Sequence, residues 1–149
     1  MIEGFGEYPP ITLSERAYVF AHERHQGQTY DDGRAYIVHP IQVAALLRMV
    51  APSDEALIAA GYLHDVIEDC GVTYAELVIL FGKDVADLVN EVTHEGKPDE
   101  HGYYFPRLET RRGIMLKFAD RLSNLTNMTC WETRRQEQYL RRSVFWRTT

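Results

Sequence analysis

The chain has 149 residues, 45% hydrophobic and 26% charged, a composition expected of one soluble globular domain spanning residues 1–149. Its formal net charge of −6 argues against general nucleic-acid binding, and no apolar run reaches the roughly 18 residues of a membrane-spanning helix. The opening MIEGFGEYPP lacks the basic and apolar regions of a signal peptide, and Cys70 and Cys130 form neither a disulfide framework nor a zinc knuckle, so a cytoplasmic protein with reduced thiols is expected.

The predicted elements follow one another as helices. Thr12-Leu-Ser-Glu15 is a capping box that opens a helix to about Gln26. His39-Pro40 opens a second, because proline suits a first turn whose amides have no partner. Ser53 is placed to cap a third, from Asp54 to Glu68. Thr73-Tyr-Ala-Glu76 is a second capping box, and Gly82 stops that short helix. Lys83 to about Thr93 makes a fifth helix, with Val85, Leu88, Val89 and Val92 on its apolar face. A polar loop with Gly96, Pro98 and Gly102 runs from His94 to Pro106, long enough for a lid. A long helix from Arg107 to Met128 and a last amphipathic one from Glu132 to Phe145 complete the chain. No segment passes the alternation test for a strand, so the fold class is all-α, a helical bundle.

Charge collects at two places. From Arg107 onward ten basic residues face four acidic ones, a set of solvated helix faces or a surface for a polyanion. The other place is LHDVIED, Leu63 to Asp69, which closes the oily stretch ALIAAGY. On a helix His64 and Glu68, and Asp65 and Asp69, are four apart and share a face. Three carboxylates so close repel one another, and a divalent cation resolves the conflict. His64 and Asp65 are adjacent, so on one helix they diverge by about 100° and other helices must complete the shell. Two residues are candidates for that. His39 stands at a helix start, where it is otherwise a cap or packing residue. Asp120 lies within LKFADRLSN, where it is otherwise an ion-pair partner of Lys117 or Arg121. Imidazole and carboxylate together suit Mn²⁺, Fe²⁺, Co²⁺ or Zn²⁺ better than Ca²⁺.

The pieces AHERHQGQ, YIVHPIQVA, AAGYLHDVIEDCGVT, FGKDVADLVNEVT and KFADRLSNL resemble, in order, the HD superfamily of metal-dependent phosphohydrolases. More narrowly the chain resembles the hydrolase domain of RelA/SpoT-type alarmone enzymes and, by size, the stand-alone small alarmone hydrolases. The resemblance covers the chain to about residue 128. It implies His39, His64, Asp65 and Asp120 as metal ligands, with Mn²⁺ the usual ion. It implies Glu68 and Asp69 as the catalytic acidic pair that positions and activates water, and Asn124 as a substrate contact. Lys117, one turn before Asp120, is a further candidate for a phosphate. The implied reaction removes the 3′-pyrophosphate of guanosine tetra- or pentaphosphate, giving GDP or GTP. Its partner is a small nucleotide, with no nucleic acid or membrane, and the length leaves no room for a synthetase domain. One loop departs from the family. Tyr30 and Asp31 stand where Arg and Lys are common, so Tyr30 and Arg34 become the candidate base contacts, and another nucleotide or a non-catalytic binding role stays open.

Overall fold

A computed structural model describes residues 11–94, 96 and 106–143. Eight α-helices occupy them: α1 (Leu13–Arg24), α2 (Val38–Val50), α3 (Glu55–Leu63), α4 (Val66–Cys70), α5 (Tyr74–Phe81), α6 (Lys83–Val92), α7 (Arg111–Asn127) and α8 (Thr133–Arg142), with a 3₁₀ turn at Met128–Cys130. Extended pairing among the described residues is limited to one bridge, Thr29 to Ala35. The all-α expectation therefore holds for these residues. None of their helices is long and apolar enough to cross a membrane.

The organising element is α3. Its sequence EALIAAGYL is apolar all round, which suits a helix enclosed by others. It packs against α1, α2, α6 and α7. Leu57, Ile58 and Leu63 are fully enclosed, each contributing roughly 1.5–3 kcal/mol by burial. Gly61 sets how closely α2 can approach. A Cβ there would lie 2.9 Å from Leu47 Cδ1 and 3.2 Å from the Ala44 Cα. Glycine thus lets the two helices meet one turn before His64, which brings α2 and its His39 close.

Both capping boxes form: Thr12 accepts from the Glu15 amide and Thr73 from the Glu76 amide, with each glutamate reaching back. Gly82 ends α5 as expected, and α6 begins at the next residue. Three boundaries differ from expectation. Asp54, not Ser53, caps α3, its carboxylate accepting from the Leu57 amide at 3.1 Å. The long third helix is broken: α3 stops at Leu63 and α4 starts at Val66. The seventh helix starts at Arg111 rather than Arg107, because Thr110 is extended and caps it through the Gly113 amide. The start of α7 is further held by Glu91, whose carboxylate accepts from the Glu109 and Thr110 amides and the Thr110 hydroxyl. A carboxylate is favoured there by the helix dipole. The first ten residues, most of the predicted 94–106 loop and the last helix beyond Ser143 lie outside the described residues.

Candidate metal centre

The break between α3 and α4 places two charged residues that a continuous helix would have splayed apart. His64 keeps helical angles, but Asp65 turns to φ −104° and ψ −1°. Its carboxylate then returns to His64, with Asp65 Oδ2 3.0 Å from His64 Nε2. From α2 comes His39, whose Nε2 lies 3.0 Å from His64 Nε2 and 3.5 Å from Asp65 Oδ2. From α7 comes Asp120, with Oδ1 2.9 Å from His39 Nε2 and 3.3 Å from His64 Nε2. The donor atoms of His39, His64 and Asp120 all lie within 4.8 Å of one another, and all three residues are buried.

The chemistry of this set is one-sided. His64 Nδ1 lies 2.8 Å from the Gly61 carbonyl, which only accepts, so Nδ1 carries the proton and Nε2 presents a lone pair. Carboxylate oxygens and an imidazole lone pair therefore converge on one point. That arrangement costs free energy unless a positive charge enters. Burial opposes a charged His64, but the Asp65 and Asp120 carboxylates outweigh it and hold the imidazole well above its ordinary value. Both carboxyls respond the other way. Burial works against their ionised forms. For Asp65 the His64 imidazole outweighs it, and for Asp120 the Lys117 ammonium and the His64 imidazole do, so each is held below its ordinary range. Imidazole and carboxylate donors at this spacing fit a divalent cation.

Neighbouring donors hold the carboxylates. Tyr36 Oη donates to Asp65 Oδ2 at 2.6 Å. Lys117 Nζ donates to Asp120 Oδ2 at 3.0 Å, and Asn124 Nδ2 donates to Asp120 Oδ1 at 3.3 Å and to Tyr139 Oη at 2.8 Å. Lys117 thus forms the ion pair that its spacing from Asp120 allowed, with most of its side chain covered. Glu68 and Asp69 stand on α4 beside the cluster and are more exposed than it. Glu68 Oε1 accepts from the His94 amide at 3.0 Å, tying α4 to the residue after α6. Desolvation, with the charges of Asp65 and Glu68 adding, raises the Asp69 carboxyl to about 6.

Beside the cluster is a cleft of about 350 Å³ lined by Tyr30, Tyr36, Asn124, Trp131, Arg135, Tyr139 and Arg142, among others. Tyr36 and Asn124 line it while bonding Asp65 and Asp120, so cleft and cluster share walls. Trp131 and Tyr139 meet edge to face, and the Arg135 guanidinium lies 4.0 Å over the Trp131 ring. The sequence suggested the basic helix as a partner for a polyanion; Tyr36, Trp131 and Tyr139 carried no spacing signal that would have marked them.

The loop before His39 differs from an exposed surface turn at one residue. Tyr30 is buried, and Arg34 lies 4.9 Å over its ring. Arg34 itself is partly exposed and bonds Asp32 at 2.7 Å and Asn127 at 2.9 Å.

The HD-domain family model matches residues 17–99, more than half of the chain. The chain belongs to the HD-domain family. Membership and the His/His/Asp donor set together imply a divalent metal at the cluster. This HD domain is 36% identical over 143 residues to a probable guanosine-3′,5′-bis(diphosphate) 3′-pyrophosphohydrolase of Synechocystis, covering 89% of this chain and 19% of that protein. It is 39% identical over 132 residues to the guanosine-3′,5′-bis(diphosphate) 3′-pyrophosphohydrolase of Aquifex aeolicus, covering 83% and 18%. It is 36% identical over 129 residues to the bifunctional (p)ppGpp synthase/hydrolase SpoT of Escherichia coli, covering 79% and 18%. The chain thus spans less than a fifth of the length of these curated relatives. Among solved structures, a metazoan ortholog of SpoT described as hydrolysing ppGpp superposes with a TM-score of 0.69 at 29% identity, covering 90% of this chain and 82% of the other.

Proposed function

We propose that this HD domain is a Mn²⁺-dependent guanosine-3′,5′-bis(diphosphate) 3′-pyrophosphohydrolase, acting on (p)ppGpp in a reducing, cytoplasmic setting. The observation that carries the proposal is the shared wall. A cluster that demands a divalent cation opens through Tyr36 and Asn124 onto a cleft with aromatic rings and the guanidinium groups of Arg135 and Arg142. Such a cleft suits a base and several phosphates. The names of the relatives point to the same substrate.

In this reading His39, His64, Asp65 and Asp120 hold the ion. The ion supplies Lewis acidity, drawing charge from phosphoryl oxygens and lowering the pKa of nearby water. The chain does the rest. Glu68 accepts the proton of the attacking water, with one oxygen already fixed by the His94 amide. Asp69 orients that water. Hydrolysis breaks the bond between phosphorus and the ribose 3′-oxygen; the water's hydroxyl joins the released pyrophosphate, and the proton taken up by Glu68 passes on to the departing 3′-oxygen. Asn124 bridges Asp120 and Tyr139 and contacts substrate in the cleft. Lys117 holds Asp120 and offsets phosphate charge beside it. Tyr30 and Arg34 shape the base end.

The test is incubation of the protein with guanosine tetraphosphate and Mn²⁺, resolving products by chromatography. GDP and pyrophosphate in equal amounts are expected, with loss of both on chelation. A second reading, an HD phosphohydrolase of another nucleotide such as an adenosine alarmone or a nicotinamide dinucleotide phosphate, is favoured by one observation. The Tyr30 ring is covered by Arg34, and Arg34 is engaged with Asp32 and Asn127. Turnover of such a nucleotide, with guanosine tetraphosphate left intact, would decide for it. A non-catalytic binding module would keep its full cellular effect after Glu68→Ala.

A further inference from the structure

We infer that Arg34, acting through Asn127, Gln42 and Ser123, fixes the tautomer of His39 and so leaves the His39 Nε2 open to a cation. The inference rests on reading the cluster as a metal centre. It identifies Arg34 as a positioning residue for that centre, acting on His39 through three intervening side chains.

The chain of reasoning starts from a group with no choice. A guanidinium donates and never accepts. Arg34 Nη1 donates to Asn127 Oδ1 at 2.9 Å, which sets the orientation of the Asn127 amide. The Asn127 Nδ2 is then turned inward, where it donates to Gln42 Oε1 at 2.6 Å and to the Ser123 carbonyl at 2.8 Å. That places the oxygen of the Gln42 amide, rather than its nitrogen, at the centre. The same Gln42 Oε1 accepts from Ser123 Oγ at 2.7 Å. A serine hydroxyl has one proton. With that proton committed to Gln42, Ser123 Oγ meets His39 Nδ1, 2.8 Å away, as an acceptor. His39 Nδ1 therefore carries the ring proton, and its Nε2 presents a lone pair toward Asp120 and His64. The Gly61 carbonyl achieves the same for His64 with a single bond. His39 has no carbonyl in that place and depends on a relay. His39, Ser123 and Asn127 are buried, so water does not substitute for any of these links.

The relay predicts its own reversal. In Asn127→Asp the side chain loses its donor. The new carboxylate still satisfies Arg34, but Gln42 must turn its Nε2 inward. Ser123 Oγ then accepts from Gln42 and donates to His39 Nδ1, and the ring proton moves to Nε2. Arg34→Met removes the group that selects the direction, and Arg34→Lys restores a donor without an acceptor. Arg34 lies on a partly exposed loop, so its variants keep the fold, and their melting curves verify this.

The ring nitrogens of His39 are read by ¹⁵N NMR in the metal-free protein, and Mn²⁺ affinity by calorimetry. The wild type and Arg34→Lys are expected to show a protonated Nδ1. Asn127→Asp is expected to show a protonated Nε2, with Mn²⁺ affinity lower by about 10–100-fold, the usual effect of disturbing the hydrogen bond behind a metal-bound histidine. Arg34→Met is expected to show a mixture. A protonated Nδ1 retained in both Asn127→Asp and Arg34→Met, with unchanged Mn²⁺ affinity, overturns the relay. The expected switch in Asn127→Asp, together with a wild type that binds no Mn²⁺, supports the relay and overturns the metal reading instead.

Discussion

At the N-terminal end of α3, Asp54 meets donors. Its oxygens accept from Arg112 Nε at 3.0 Å, from Arg112 Nη2 at 2.7 Å and from the Leu57 amide at 3.1 Å, and Arg112 also holds Asp84. Ten residues later, past the C-terminal end of the same helix, His64 Nε2 faces another imidazole and two carboxylates. One end is an electrostatic network that closes on itself. The other closes only around an added positive charge. Stability alone would have selected the first arrangement at both ends, so the second marks where the molecule does its work.

Changes at the two ends should separate stability from function. The largest effect is expected from His64→Ala, which removes a donor from the cluster. Mn²⁺ content after purification should fall more than the roughly 100-fold expected from losing a bond behind a ligand, and pyrophosphate release should vanish with it. A normal Mn²⁺ content would contradict the ligand assignment. Glu68→Gln should leave the metal in place and slow turnover by about 10²–10⁴-fold, a range typical of a lost general base. Steady-state rates alongside metal analysis separate it from the first variant. Gly61→Ala links the two ends, because its methyl forces α2 from α3. A loss of about 1–3 kcal/mol in chemical denaturation is expected, together with weaker Mn²⁺ binding as His39 and His64 part. Arg112→Ala, by contrast, should cost about 1 kcal/mol and leave Mn²⁺ affinity untouched.

The smallest effect is a pH dependence at the closed end. Arg112, outweighing burial and helped by the Leu57 amide, holds the Asp54 carboxyl below its ordinary value of 3.8. A depressed carboxyl contributes stability above its unfolded value, and the contribution disappears as pH falls through its folded value. Denaturation midpoints of wild type and Arg112→Ala should therefore converge below about pH 4, the ordinary carboxyl range, and differ above it. A constant gap down to pH 2 would remove Asp54 from the explanation.

Much of this was readable from local spacing. Both capping boxes need only two residues three apart, and both form. His39 was marked by its place at a helix start, His64 by closing an oily stretch and Asp120 by its place on an apolar helix face, and their donor atoms converge. The junction at His64–Asp65 was not readable, because Val66, Ile67 and Cys70 continue the helical pattern across it. Nor was the start of α7: Pro106 and Arg107 resemble a first turn, but the Glu91 carboxylate favours Thr110 as the cap. Ser53 and Asp54 are equally good caps by type, and Arg112 tips the choice to Asp54. The relay behind His39 left no trace at all. Arg34 and Asn127 are 93 positions apart, and a polar residue that pairs at that separation looks like any other polar residue.

That separation has a consequence for folding. His39 and Asp120 are 81 positions apart, so the cluster exists only when α7 has docked on α2. An ion that binds this constellation binds the native state and not the unfolded chain. By mass action it then adds stability as RT ln(1 + [L]/Kd), about 2.7 kcal/mol at a hundredfold excess over Kd. The melting temperature of this chain should climb with the logarithm of free metal, so a calorimeter can register occupancy of the centre before any substrate is known.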